Sequence, residues 1–160
     1  MGNNWKITDT LTKVFADEVP DGQGSIRLST LHRETVSCVI AYFGTADWGR
    51  YWKVSVKAPE KIETRLRRVE LVPSAYPCHK EQDDNYLRIV PGMYPDLLRD
   101  LDTEDDGADK KYLTKEVPGQ WRSLWLDVTV DAELAGGDYA IVIETETEDG
   151  EKETLKADLH

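Results

Sequence analysis

The sequence predicts an all-β protein, an antiparallel β-sandwich of the jelly-roll or immunoglobulin-like kind with one long, partly helical connection. Three observations carry this reading. Short β-forming runs recur along the 160 residues, and no segment keeps a helical apolar period for long. Several of these runs alternate apolar with polar residues, as strands with one face on a core do. Glycine-containing turns punctuate the later runs.

Taken in order, "SIRLST" puts Ile26 and Leu28 on one face. "TVSCVIAYF" is a near-continuous apolar and β-branched run, which predicts a central strand covered on both sides. "YWKVSVKA" alternates, with Trp52, Val54 and Val56 inward and Lys53, Ser55 and Lys57 outward. In "KIETRLRRVELVPS" the face formed by Ile62, Thr64, Leu66 and Arg68 gives way to Val69, Leu71 and Pro73, a change of phase that predicts a β-bulge or two short strands. "WRSLWLDVTVD" sets Leu124, Leu126, Val128 and Val130 on one side and Trp125 on the other. "LAGGDYAIVIETET" is a glycine turn feeding a strand with Ile141 and Ile143 on one face, and "EDGEK" predicts a hairpin turn into "ETLKADL". Between these halves, residues 74–120 hold four of the seven prolines and long polar stretches, which predicts an excursion with open loops at 78–88 and 102–112. Within it, Leu97, Leu98 and Leu101 have helical spacing and predict a short helix.

The length fits one domain over residues 1–160, enough to bury roughly two thirds of the unfolded chain's surface. With 39% hydrophobic and 32% charged residues, the composition is that of a folded chain. A formal charge of −11, from 31 acidic against 20 basic residues, repels phosphate backbones and anionic lipid, so nucleic acid and membrane surfaces are not expected as partners. "MGNNWKITDTLTKVF" lacks the basic start and apolar centre of a signal peptide, which predicts a cytoplasmic location. The two cysteines, Cys38 and Cys78, are expected as free thiols.

The groups that could carry chemistry are few. "DTEDDGAD" (102–109) suggests a calcium loop, but counting Asp102 as position 1 puts Leu113 where a bidentate Glu is needed, so a solvated acidic loop is expected. Cys78 and His79 have no second pair at zinc-finger spacing, so no metal or other cofactor is expected. The pairs Asp83–Asp84 and Asp105–Asp106 lie in polar stretches with no apolar surroundings to raise a pKa, and no nucleophile–base motif is present, so no catalytic residue is assigned. Trp48 and Tyr51, in "DWGRYW", are the candidate aromatic platform for carbohydrate. "LRIVPGMYPDLLRDL" carries more apolar side chains than a solvated connection should, and Met93, Tyr94, Leu97, Leu98 and Leu101 are the candidate interface residues.

Five segments, in the same order along nearly the whole chain, resemble the N-terminal domain of the family 123 glycoside hydrolases and of related proteins sharing the domain of unknown function numbered 4091. They are "WKITDTLTKVFADEVP", "STLHRETVSCVIAYFG" with Arg33 and Glu34, "VELVPSAYPCHKE", "MYPDLLRDL", and "VPGQWRSLWLDVTVDAELAGGDYAIVIETE" with Trp125, Gly137, Asp138 and Tyr139 at matching positions. The resemblance implies a non-catalytic β-sandwich that packs, in cis, against a (β/α)-barrel. That barrel would hold an aspartate–glutamate pair hydrolysing N-acetyl-β-galactosaminides with help from the substrate's acetamido group. A barrel needs on the order of 250 residues, so none of those catalytic residues lies in this chain. The sequence stops in the expected last strand, and a barrel is expected beyond it. Two other classes stay open: a carbohydrate-binding module using the exposed aromatics, and a small stand-alone hydrolase with a pocket near "CHKEQDDNY". An uncovered interface patch would also allow the isolated domain to form a homodimer.

Overall fold

The computed structural model describes residues 4–45, 50–81, 85–105 and 110–160. Eleven strands form two packed sheets, and no helix occurs among the described residues. The five-stranded sheet runs β1 (Trp5–Thr8), β3 (Thr35–Phe43), β9 (Trp121–Val130), β5 (Ile62–Ser74), β6 (Gly92–Asp100). The six-stranded sheet runs β2 (Ser25–Leu28), β11 (Lys152–Leu159), β10 (Tyr139–Thr147), β4 (Tyr51–Lys57), β8 (Lys110–Lys115), β7 (Asp102–Asp105). Every strand pairing is antiparallel except that of β2 with β11, which is parallel.

The inward positions follow the period of two. Cys38, Ile40 and Tyr42 from β3, Leu124, Leu126 and Val128 from β9, Val54 from β4, and Ile141 and Ile143 from β10 meet in one core. Three aromatics tie the layers at one end. Trp5 stacks on Tyr42 at 4.9 Å and meets Trp52 edge-on at 5.1 Å, while Tyr42 Oη bonds Thr114 Oγ1 at 2.7 Å. Trp52 also donates its indole N–H to the buried carboxylate of Glu116. Cys38 and Cys78 are free thiols. Burial raises the Cys38 pKa to about 12, and the nearby Asp127 charge adds to the effect, so this thiol stays protonated and unreactive at neutral pH.

Several expectations hold in detail. β3 is buried on both faces from Cys38 to Tyr42, and the β5 phase change is a register shift against β6 at Glu70/Leu71. Gly150, with φ of 82°, turns the β10–β11 hairpin. The glycines at 136 and 137 lie in the crossing from β9 in one sheet to β10 in the other.

The excursion is the main correction. Residues 92–100 are strand β6, so the expected helix over Leu97, Leu98 and Leu101 does not form. Neighbouring leucines on a strand point to opposite faces, and Leu101 enters the core where the chain passes from β6 to β7 in the other sheet. The extended conformation that Pro95 imposes on Tyr94 also opposes a helix there. Asp102–Asp105 is likewise strand β7, paired with β8 through Glu104 opposite Lys111, and not an open acidic loop. Residues 106–109, the rest of that calcium-loop candidate, lie outside the described residues, as do Trp48 and the Asp83–Asp84 pair.

Candidate docking face

The outer faces of the two sheets differ. On the six-stranded sheet the outward positions are charged and paired across strands: Lys53 with Glu104 at 2.8 Å, Lys57 with Glu144 at 2.6 Å, and Lys152 with Glu146 at 3.1 Å. Exposed pairs of this kind contribute little stability, but they keep a face wet.

On the five-stranded sheet the outward positions of β3 and β9 are Val39, Ala41, Phe43, Trp121 and Trp125, which with Val14 form a second apolar cluster. Residues 9–23 cross this face as a strap. Asp9 Oδ1 accepts the backbone N–H of Leu11 at 2.9 Å and of Thr12 at 3.0 Å, which turns the chain out of β1. Val14 and Phe15 are then buried against the sheet, and Trp121 N–H donates to Ala16 carbonyl at 3.0 Å. Lys6 Nζ donates to Pro20 carbonyl at 2.9 Å on the β1 side. On the β6 side Phe15 meets Tyr94 edge-on at 5.8 Å, and the Arg88 guanidinium lies 3.9 Å above the Phe15 ring. Arg88 is ion-paired to Asp17 at 2.8 Å and to Glu18. Its hydrogen bond holds the Asp17 carboxyl below the usual carboxylate value.

A polar network sits beside the strap on the same face. Asp127 accepts from Ser37 Oγ at 2.7 Å and from Trp125 Nε1 at 2.8 Å on one oxygen, and from Arg67 at 2.5 Å on the other. Burial opposes its charge, but these three donors together outweigh burial and lower its pKa. The effect is to fix the Trp125 ring, since its only polar atom is held. Between the strap and strands β9, β5 and β6 lies a slot of about 210 Å³ bounded by Val14, Val39, Val69, Leu98, Ser123 and Trp125, among others.

The β5–β6 connection carries the exposed apolar residues Tyr86, Leu87, Ile89 and Val90, and strand β6 adds Met93 and Leu97, 45% and 48% exposed. Of the five interface candidates, Met93 and Leu97 are therefore uncovered. Tyr94 is half-buried, with its hydroxyl on Val90 carbonyl at 2.6 Å, and Leu98 is half-buried along the slot. Leu101 belongs to the core. Tyr51 is 41% exposed on the opposite, charged sheet, with Lys115 Nζ 5.6 Å from its ring. Sequence reasoning found Trp125 as an outward residue but missed the strap, because adjacent Val14 and Phe15 in a polar segment carry no strand or helix period.

The molecule so described is an all-β sandwich domain with one outer face of cross-strand ion pairs and another that joins an apolar cluster to the Asp127 network. Among solved structures it is similar to a family 123 glycoside hydrolase from Clostridium perfringens, with a TM-score of 0.64 and 9% identity over 97% of this chain and 26% of that one. It is also similar to the collagen-binding subdomain of the Enterococcus faecalis surface protein ACE, at TM-score 0.48 and 6% identity over 84% and 92% of the two chains. A third likeness is to BcpA, the major pilin subunit of Bacillus cereus, at TM-score 0.43 and 7% identity over 97% and 39%. The chain thus spans about a quarter of the length of the glycoside hydrolase, and at 9% identity that likeness is one of fold. No family profile and no curated protein matches the sequence.

Proposed function

We propose that this chain is a non-catalytic accessory domain of a larger, glycoside-hydrolase-like protein, and that it packs against a catalytic domain through the outer face of its five-stranded sheet and the adjoining β5–β6 connection. The observation that carries this is the exposure of Ile89, Val90 and Met93 beside the outer sheet face that holds the second apolar cluster, while the opposite face is a lattice of ion pairs. An exposed apolar patch rimmed by polar residues is a usual mark of an interface. Inter-domain faces typically bury roughly 600 to 1,500 Å². The fold's likeness to a quarter of a family 123 enzyme agrees with a domain that is one part of a longer chain.

The test is hydroxyl-radical oxidation of Met93 in this chain alone and in the longer protein that carries it. Met93 is expected to oxidise several-fold more slowly in the longer protein, and equal rates would sink the proposal. This chain alone is expected not to hydrolyse chromogenic N-acetylhexosaminides.

A further inference from the structure

We propose that the slot between the strap and the five-stranded sheet takes one large apolar side chain of the polypeptide that covers this face. This deepens the docking reading and rests on it. Three observations select the occupant. The first is size. Pockets for drug-sized ligands and cofactors run from about 300 to 1,000 Å³, whereas this slot holds about 210 Å³, which suits a single Leu, Met, Phe or Tyr side chain.

The second is chemistry. Val14, Val39, Val69, Pro95, Leu98 and the Trp125 ring line the slot, so its walls are apolar on several sides. The Thr12 hydroxyl at its edge is engaged with Thr8 and Asp9. Ser123 and Thr10 also line the slot, each with one hydroxyl. Two hydroxyls can satisfy only a few polar atoms. A saccharide would bring several hydroxyls into these walls, and each one buried without a partner is costly. The third is charge. Lys13 and Asp96 line the slot with opposite charges, and neither forms an ion pair among the described residues. They would select an anchor flanked by an acidic residue on the Lys13 side and a basic one on the Asp96 side. The Asp127 network holds the Trp125 wall in place before binding, so little ordering is required when the anchor enters.

The experiment is a titration of the ¹⁵N-labelled chain with N-acetyl-L-phenylalaninamide, followed at the Trp125 indole N–H and the backbone amides of Ser123 and Leu98. Saturable shifts at these positions are expected with a dissociation constant on the order of 1 mM, as befits a ligand of this size. N-acetylglycinamide should produce none. Ser123→Leu, which fills the slot, should weaken binding at least tenfold. If that variant does not fold, Leu98→Trp on the half-exposed edge strand serves the same purpose. Lys13→Glu should weaken binding of the anionic N-acetyl-L-phenylalanine several-fold, and Asp96→Lys that of the cationic L-phenylalaninamide. The proposal is overturned if the neutral amide shifts nothing at about ten times the expected constant. It is equally overturned if N-acetylglucosamine shifts these resonances and the amide does not. Protection of Met93 in the longer protein alongside no amide binding would reject the slot and leave the docking face standing.

Discussion

The two outer faces of this sandwich are built on strands of similar length and pairing, yet they meet their surroundings in opposite ways. The six-stranded sheet turns lysines and glutamates outward and satisfies them with each other and with water. The five-stranded sheet turns valine, phenylalanine and two tryptophans outward and must cover them with protein. The strap over residues 9–23 covers part of that surface, and the slot and the β5–β6 connection are what it leaves. Alternation along a strand places side chains on a face, but composition decides whether that face ends in water or needs a lid.

The largest expected effect contrasts one residue from each face. Trp121 is 7% exposed, packed against Phe43 at 5.4 Å and under Lys6. Trp121→Ala should cost about 3 to 5 kcal/mol in urea denaturation, the range for losing a buried aromatic. Lys53→Ala, on an outward position of β4, should stay within about 0.5 kcal/mol. Equal costs would break the comparison, because they would mean that the strap contributes no burial.

An intermediate effect is expected at Asp127, which joins the apolar face to the polar network. Asp127→Asn keeps the shape and the acceptor for Trp125 but loses the charge facing Arg67, and should cost about 1 to 2 kcal/mol at neutral pH. The carboxyl is more acidic folded than unfolded. Its stabilisation is therefore complete above the unfolded value, near 3.9, and is lost as pH falls through the folded value. The difference between wild type and Asp127→Asn should accordingly shrink as pH is lowered below about 4. A difference that stayed constant down to the acid transition would assign the cost to shape and not to charge.

How much of this could be read in the sequence follows from where the physical signal is local. The inward faces of β3, β4, β9 and β10 were legible, because a strand with one face on a core must alternate, and the β5 bulge was legible as a broken phase. The helix over 97–101 was misread because leucines at i, i+1 and i+4 fit a helix face as well as they fit a strand that changes sheets. Hairpin β7–β8 was hidden because a charged edge strand has no apolar period to show. The candidate interface was half legible. An excess of apolar residues in a connection pointed to Met93 and Leu97, but only the packing separates them from Leu101, which fills the core. The slot was not legible at all, since it joins residues from 10–14, β3, β5, β6 and β9.

The smallest effect sharpens the comparison most directly, because it asks the same question of one ion pair on each face. Lys152 and Glu146 face each other across the β10–β11 hairpin at 3.1 Å, with side chains 69% and 43% exposed. Arg67 and Asp127 face each other at 2.5 Å on the other sheet, with side chains only 23% and 17% exposed. A double-mutant cycle on the first pair should give a coupling at or below about 0.5 kcal/mol at low salt, because both charges are well hydrated apart as well as together. Raising salt to about 1 M shortens the screening length to roughly 3 Å, and that coupling should vanish. The Arg67–Asp127 cycle should give a larger coupling and keep most of it under the same salt, since protein and not water surrounds the pair. If both couplings were small and equally sensitive to salt, the apolar face would be as open to solvent as the charged one. The case for a covered docking surface would then rest on the β5–β6 connection alone.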